Sequence, residues 1–173
     1  FGDVRMQEAL TNVVIPGYDI EDGRRLWFRS YSNPYGQILM ADLARGATAA
    51  PTYLPPARFA VQRHVSGKGY VALVDGALFA NNPATMALMM GQTIRAAGDP
   101  SIMLVSIGTG RSNQRRAFDE AWGWGILGWM DPLLEIAFSD PAVDDEMKRS
   151  LEGRGNYFRL QPAIDGPAIA LDD

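Results

Sequence analysis

Asp75 is the residue whose type and position are best suited to chemistry in this sequence. It follows an apolar run, YVALV at 70–74, and precedes two small residues, Gly76 and Ala77. A carboxylate in such a place can accept a proton from a nucleophile, because small neighbours let a substrate and another backbone segment approach. An Asp before Gly also commonly closes an Asx-type turn or caps a helix. The residues alone leave both interpretations open.

Other residues with chemical potential support fewer functions. His64 is the only histidine, and its polar, glycine-bearing surroundings predict a surface or turn position. The sequence contains no cysteine, so a single histidine has no thiolate partners for a zinc site. The turn Gly108-Thr109-Gly110 lacks the Lys-Ser/Thr of a phosphate-binding loop, which leaves nucleotide binding as the weakest hypothesis. We predict no metal and no cofactor.

A serine nucleophile that could work with Asp75 is not recognisable in these residues. The strand-turn-helix elbow that exposes such a serine has the pattern GxSxG, which does not occur in the sequence. Ser106 comes nearest, in LVSIG, but it lacks the first glycine. If Asp75 is catalytic, we expect its nucleophile to lie outside this sequence.

The elements around Asp75 are predicted to form a βαβ unit. The apolar runs at 70–74 and 101–108 are typical of strands that are buried on both faces. Between them, Asn82 is a good N-cap for a helix and Gly98 is placed to end it. Such units join parallel strands, and open parallel sheets bind ligands at the carboxyl ends of those strands. The pattern therefore places Asp75 at an edge where ligands bind.

A β-hairpin and a short helix are predicted upstream of this unit. Residues 12–31 fit two strands joined at the Asp22-Gly23 turn. The helical pattern that follows must stop by Ala50, because Pro51 disfavours the helical region for the residue before it. The hairpin and the helix would precede the strand that carries the acid.

Composition and charge exclude several classes of protein. A hydrophobic fraction of 47% and a charged fraction of 21% are ordinary for a globular protein, and the net charge of -4 argues against nucleic acid as a partner. No apolar run approaches the roughly 18 residues that a membrane-spanning helix needs. The sequence opens without an initiator Met or a signal peptide, so we expect a fragment. The compartment is unknown, with a cytoplasmic or peripheral membrane location favoured.

The tryptophan-rich segment WGWGILGW, residues 122–129, has two interpretations. Large aromatic side chains supply much of any protein core, so these residues could pack inside the fold. Tryptophan also favours the boundary of a bilayer, which would place them at a lipid surface. Only a lipid substrate would favour the second interpretation.

Several motifs in order make the sequence resemble the later part of a patatin-like phospholipase domain. These motifs are IPGYDIEDG, WFRSY, ARGATAAPTYLPP, VDGALFANNPATMAL and LVSIGTG, and they lie within about residues 1–110. Their combination is far more specific than any one short glycine-containing segment alone. The tail from GWGILGW to YFRLQP is similar to bacterial members of the family, less specifically.

The resemblance implies a three-layer α/β/α fold with a mostly parallel central sheet, of which residues 1–173 form the C-terminal portion of a single catalytic domain. It implies a Ser-Asp dyad, with Asp75 as its aspartate and Asp75-Gly76-Ala77 as the DGA motif. The GxSxG serine and the glycine-rich oxyanion motif would belong to a missing N-terminal portion. At 47 and 48 the sequence has Ala-Thr where the family commonly has Thr-Ser, which keeps one hydroxyl.

The implied activity is that of a serine lipid acyl hydrolase of the phospholipase A or lysophospholipase type. The expected partners are a phospholipid or another acyl-ester lipid, the missing N-terminal portion and, transiently, a membrane surface. This fragment alone is predicted to be inactive. The alternative is a non-catalytic patatin-like binding or regulatory module, because the nucleophile is absent from the sequence.

Overall fold

The computed structural model describes residues 2–32, 34–62, 64, 66–94, 102–112, 115–138, 141–151 and 156–164. The chain forms two compact units, Phe1–Ala80 and Asn81–Asp173. Each unit contains its own strand pairings and its own buried apolar cluster. Each therefore has its own source of stability.

The first unit is built on a four-stranded sheet. Its elements in chain order are β1 (Val14–Asp19), β2 (Arg24–Arg29), α1 (Met40–Ala47), β3 (Ala57–Ala60), β4 (Tyr70–Asp75) and α2 (Ala77–Ala80). The strands are arranged in the order β2-β1-β4-β3, and every neighbouring pair is antiparallel. Short 3-10 turns at Met6–Glu8 and Tyr35–Gln37 complete the unit. Asp75 is thus the last residue of an interior strand.

The hairpin predicted for residues 12–31 is confirmed. β1 and β2 pair antiparallel along their whole length. Gly23, in the predicted turn, has a φ of +62°, which costs glycine little because it has no Cβ. The Asp19 side chain also closes the turn, since its Oδ1 accepts a hydrogen bond from the Glu21 amide at 3.0 Å. Local turn chemistry therefore accounts for this element.

The core of the first unit combines side chains of the sheet and of α1. Phe28, Leu43 and Leu73 are fully buried in it, and each contributes roughly 1.5–3 kcal/mol by leaving water. Gly46 lets α1 approach β4 closely, because a Cβ there would lie 2.9 Å from Leu73 Cδ2. The helix predicted to stop by Ala50 is confirmed as α1. The packing of α1 against β4 stabilises the strand that ends at Asp75.

The strand before Asp75 is confirmed, but its direction differs from the prediction. Residues 71–74 of β4 are all buried, as the continuous apolar run indicated. Both neighbours of the strand, β1 and β3, run antiparallel to it, so the prediction of a parallel sheet is wrong for this strand. Burial on both faces produces a continuous apolar run whichever way the neighbours run. The run therefore reports burial and not strand direction.

The second unit contains helices and two short parallel pairings. Its described elements are α3 (Ala84–Ile94), β5 (Leu104–Ile107), β6 (Arg111–Ser112), α4 (Phe118–Trp122), α5 (Ile126–Phe138), α6 (Pro141–Leu151), β7 (Tyr157–Leu160) and β8 (Ala163–Ile164). β5 pairs with β7 and β6 with β8, both in parallel. The mixed α/β class is therefore confirmed, and parallel pairing among the described strands is confined to this unit.

The helix predicted to start at Asn82 is confirmed as α3. The Asn82 Oδ1 accepts a hydrogen bond from the Ala84 amide at 3.2 Å, as a cap should. Gly98, which was predicted to end the helix, lies outside the described residues. One buried cluster joins α3, β5 and α6, and Leu88, Leu104 and Met147 belong to it. This cluster holds the helices against one face of the β5–β7 pair.

Candidate active site

Asp75 is held at the end of β4 by contacts to its backbone and to its side chain. Its amide donates a hydrogen bond to the Ala49 carbonyl at 3.0 Å. Its Oδ1 accepts a hydrogen bond from the Ala77 amide at 2.8 Å, and the residue is half-buried. The Asx-type turn that the sequence left open is therefore present. The contact occupies Oδ1 and fixes the direction in which the carboxylate projects.

Gly76 is required by the close approach of β1. A Cβ at this position would lie 2.5 Å from the backbone carbon and oxygen of Pro16, which cannot move aside as a flexible side chain could. The pairing of Gly17 with Asp75 brings the two strands together at this point. The small residue after the acid therefore admits another backbone segment, as the sequence indicated.

Two of the sequence motifs, ARGATAAPTYLPP and VDGALFANNPATMAL, contact each other at Asp75. The segment after α1 supplies the Ala49 carbonyl that accepts the Asp75 amide. Thr48 ends α1, and its hydroxyl donates to the Ala44 carbonyl at 2.8 Å. Thr52, four residues after Thr48, has a φ of +78°, an unusual conformation for a residue that carries a Cβ. This hydrogen-bonded segment provides a preorganised support for Asp75.

Ser106 is a structural residue of the second unit. It is buried in β5, and its hydroxyl donates to Asn82 Oδ1 at 3.2 Å and accepts from Arg159 Nη1 at 2.6 Å. A serine nucleophile needs an exposed hydroxyl beside a base. Ser106 has neither property, so it does not supply the missing nucleophile.

The glycine turn after β5 is explained by packing within the second unit. A Cβ on Gly108 would collide with the Gln161 side chain, and Gly110 has a φ of +119°. Gln161 Oε1 in turn accepts a hydrogen bond from Arg159 Nη2 at 2.6 Å. The space beside Gly108 is therefore filled by protein. The hypothesis of nucleotide binding at this turn gains no support.

Patatin-like proteins match this chain over nearly its whole length. Patatin-like protein 2 of Arabidopsis thaliana is 32% identical over 199 residues, which cover 99% of this chain and 49% of that protein. Patatin-07 of Solanum tuberosum is 30% identical over 196 residues, covering 99% of this chain and 50% of that protein. The chain belongs to the patatin-like family. A comparison with protein-family models gives no match.

Family membership confirms the resemblance drawn from the ordered motifs. The chain spans about half the length of the curated relatives that it matches. A further relative, named Probable inactive patatin-3-Kuras 1 from Solanum tuberosum, is 29% identical over 195 residues, covering 99% of this chain and 52% of that protein. The patatin-like family therefore contains a member whose name describes it as inactive.

The structure corrects the position predicted for His64. The histidine is buried, with 7% of the residue exposed, and it lies between two carboxylates of the first unit. Its Nε2 is 3.0 Å from Asp19 Oδ2, and its Nδ1 is 3.0 Å from Asp22 Oδ2. Ser66 Oγ lies 2.6 Å from the same Nδ1. We call Asp19, His64 and Asp22 the Asp–His–Asp cluster.

The geometry of the Asp–His–Asp cluster favours a structural role over a metal site. The ligand atoms of the three residues lie within 4.8 Å of one another, which is short enough for a shared cation. The two carboxylates, however, approach opposite ring nitrogens, whereas a metal binds one nitrogen of an imidazole. The Ser66 amide also donates a hydrogen bond to Nδ1 at 3.3 Å, so protein groups already surround this nitrogen. The cluster therefore ties the hairpin turn to the loop that carries His64.

The tryptophan-rich segment is largely exposed in the second unit. Trp122 is 79% exposed, so the interpretation as a core residue does not hold for it. Trp124 and Trp129 contact each other edge to face, with their ring centroids 5.1 Å apart. None of the helices in the described ranges is both long enough and apolar enough to cross a membrane. Exposure of this kind leaves the lipid-surface interpretation in place.

Proposed function

We propose that the complete protein is a serine lipid acyl hydrolase of the phospholipase A or lysophospholipase type, in which this chain supplies Asp75. The observation that carries the proposal is the fixed position of the Asp75 carboxylate at the end of β4, where the DGA motif holds it. Its serine partner and the oxyanion motif belong to an N-terminal portion of the same domain, outside residues 1–173. The patatin-like family of the chain supports this assignment.

The mechanism that we propose is acyl transfer through a serine ester. The serine oxygen attacks the ester carbonyl carbon while its proton passes to Asp75 Oδ2, and backbone amides of the missing portion stabilise the oxyanion. The bond to the leaving alcohol then breaks, and that proton moves to the alcohol oxygen. Water attacks the acyl-serine in the same way and releases a fatty acid. The Ala77 amide contributes by holding Oδ1, which leaves Oδ2 for the proton.

The partners of this activity follow from its substrate. A phospholipid or another acyl-ester lipid resides in an aggregate, so the protein would meet it at a membrane surface and act as a peripheral membrane protein. Residues 1–173 alone would be inactive, because the serine lies elsewhere. Joining them to the missing portion would restore hydrolysis.

The decisive experiment replaces Asp75 by Asn in the complete protein. Asparagine keeps an Oδ1 that can accept the Ala77 amide, so the turn is retained while the proton acceptor is lost. Hydrolysis of a phospholipid or a soluble acyl ester should fall by about 10²–10⁴-fold, the usual contribution of a general base. Circular dichroism should show an unchanged fold.

A matched control is Asp42→Asn, which removes an exposed carboxylate from α1 and leaves Asp75 untouched. This variant should hydrolyse the ester at the rate of the unmodified protein. Normal turnover in the Asp75→Asn protein would refute the assignment of the catalytic acid.

The second candidate function is a non-catalytic patatin-like binding or regulatory module. A relative whose name describes it as inactive gives this candidate its support. A serine-reactive fluorophosphonate distinguishes the two candidates. Labelling of the complete protein would favour the enzyme, whereas a folded protein that binds lipid and takes up no label would favour the module.

A further inference from the structure

Helices α4 and α5 carry several exposed apolar side chains within twenty positions of the chain. We define the α4–α5 surface by six of them: Phe118, Trp122, Ile126, Leu127, Leu133 and Ile136. Ile126 and Leu127 are 87% and 84% exposed. Contiguous apolar surface of this size marks a site of interaction.

The shape of α5 suits an interface between water and an apolar phase. Ile126, Leu133 and Ile136 project from one side of the helix, because their spacing follows the helical period. Glu135 lies on the opposite side and is ion-paired with Arg116. The helix has 13 residues, about 20 Å, so it is too short to span a bilayer and is suited to lying in its surface.

Aromatic residues stand at the N-terminal end of this surface. The Phe118 and Trp122 rings are in contact, with centroids 5.6 Å apart. Tryptophan, with an apolar body and a polar N–H edge, favours the headgroup level of a bilayer, and Phe118 adds apolar area beside Trp122. The aromatic end would therefore lie at the headgroups while the aliphatic side chains of α5 enter the acyl region.

Charge indicates which lipid surface the protein can meet. Residues 115–138 contain four acidic residues (Asp119, Glu120, Asp131 and Glu135) and two basic ones (Arg115 and Arg116), so their net charge is -2. Asp119 and Glu120 are exposed beside the aromatic end. Anionic headgroups attract clustered lysine and arginine and repel carboxylates. An electroneutral surface is therefore the better electrostatic match.

We propose that the α4–α5 surface docks the protein on a zwitterionic phospholipid surface and so delivers it to its substrate. The proposal rests on the lipid acyl hydrolase function proposed above. Docking gains its affinity from burial of the α4–α5 surface, and the acidic flank disfavours anionic membranes. Zwitterionic lipid is thereby the substrate form that the protein meets.

Vesicle binding by the complete protein tests this docking. Sedimentation with phosphatidylcholine vesicles is measured for the Asp75→Asn protein, so that hydrolysis does not consume the vesicles. Adding Ile126→Asp and Leu127→Asp should weaken partitioning on the order of tenfold or more, because two exposed side chains no longer enter the acyl region. Replacing part of the phosphatidylcholine by phosphatidylglycerol should weaken binding of the parent protein, most strongly at low salt.

A matched control is Leu10→Asp, which changes a leucine of the first unit that is even more exposed and lies outside the α4–α5 surface. It should leave partitioning unchanged. Equal partitioning with and without the Ile126 and Leu127 changes would overturn the proposal, as would tighter binding to anionic vesicles. Protection of Trp122 from acrylamide quenching without lipid, read as the difference from a Trp122→Phe protein, would also overturn it, because it would show that protein already covers the surface.

A soluble ester separates this proposal from the proposed function. With Asp75 present, the Ile126→Asp, Leu127→Asp protein should hydrolyse a monomeric short-chain ester normally and vesicle lipid slowly. Equal loss on both substrates would overturn the docking role. Absence of ester hydrolysis in the unmodified protein would refute the acyl hydrolase function, while the vesicle-binding result would still decide whether the surface docks on lipid.

Discussion

The two units differ in how far each buries its own strands. In the first unit, residues 71–74 of β4 are all buried, and its two neighbours satisfy both edges of the strand. In the second unit, β5 buries alternate residues and β7 half-buries them, and the residues between are exposed: Val105, Ile107, Phe158 and Leu160. Parallel sheets are normally covered on both faces. The first unit thus closes its core from its own residues, and the second leaves apolar surface open.

The largest expected effect comes from comparing a core residue of one unit with an exposed residue of the other. Phe28→Ala should lower the free energy of unfolding by about 3–5 kcal/mol, because it empties a fully buried site. Ile107→Ala should change it by less than about 0.5 kcal/mol in this chain, since its side chain is exposed. Urea denaturation of the 173-residue chain measures both. Equal losses would contradict the difference between the units.

The same two substitutions, Phe28→Ala and Ile107→Ala, can be compared in the complete protein. A loss of about 2–5 kcal/mol for Ile107→Ala there would show that residues outside this chain cover the β5–β7 face. An unchanged stability would show that the face remains open. Either result leaves the expected cost of Phe28→Ala the same, because Phe28 is buried by residues of the first unit.

The second effect concerns buried polar groups in the two units. His64→Ala should destabilise the chain by about 3 kcal/mol, because it empties a buried site and removes the ring that lies between Asp19 and Asp22. Ser106→Ala should cost only about 1 kcal/mol, since it removes a neutral hydroxyl from its hydrogen bonds. Urea denaturation near neutral pH compares them. A smaller cost for His64 than for Ser106 would refute a stabilising role of the Asp–His–Asp cluster.

Local chemistry explains which elements could be predicted from sequence. The Asp22-Gly23 turn and the Asn82 cap depend on contacts between near neighbours, and both were predicted correctly. The direction of β4 depends on which strands lie beside it, and an apolar run does not report this. Long-range pairing therefore limited the prediction of the fold.

The contacts of the candidate site also divide into local ones, which could be predicted from sequence, and long-range ones, which could not. The turn at Asp75 was foreseeable because Ala77, which donates to it, is two residues away. The burial of His64 was not, because Asp19 lies 45 positions earlier and only the fold brings the two together. The spacing of Asp19 and Asp22 in the hairpin turn is the one local signal of the cluster. Whether Asp75 takes a proton from serine stays a prediction.

The smallest expected effect is a pH dependence from the salt bridges of Lys68. Lys68 Nζ is 2.8 Å from Asp22 Oδ1 and 3.1 Å from Glu21 Oε2. Hydrogen bonds from Tyr70 and Lys68 lower the pKa of Glu21, and those from Lys68 and Ser66 lower the pKa of Asp22. Carboxyls with lowered pKa values stabilise the fold above their usual values of 4.5 and 3.8 and lose that contribution as the pH falls.

Lys68→Met should therefore make the loss of stability between about pH 5 and pH 3 shallower, as measured by urea midpoints. The dependence of the stability on pH should also change at alkaline pH. Hydrogen bonds from Lys68 to Asp22 and Glu21 raise the lysine pKa, so its contribution is present below 10.5 and is lost only at higher pH. Arg45→Met, which breaks an exposed pair on α1, should leave the acid slope nearly unchanged. Identical slopes for Lys68→Met and the parent chain would show that solvent screening cancels the salt bridges.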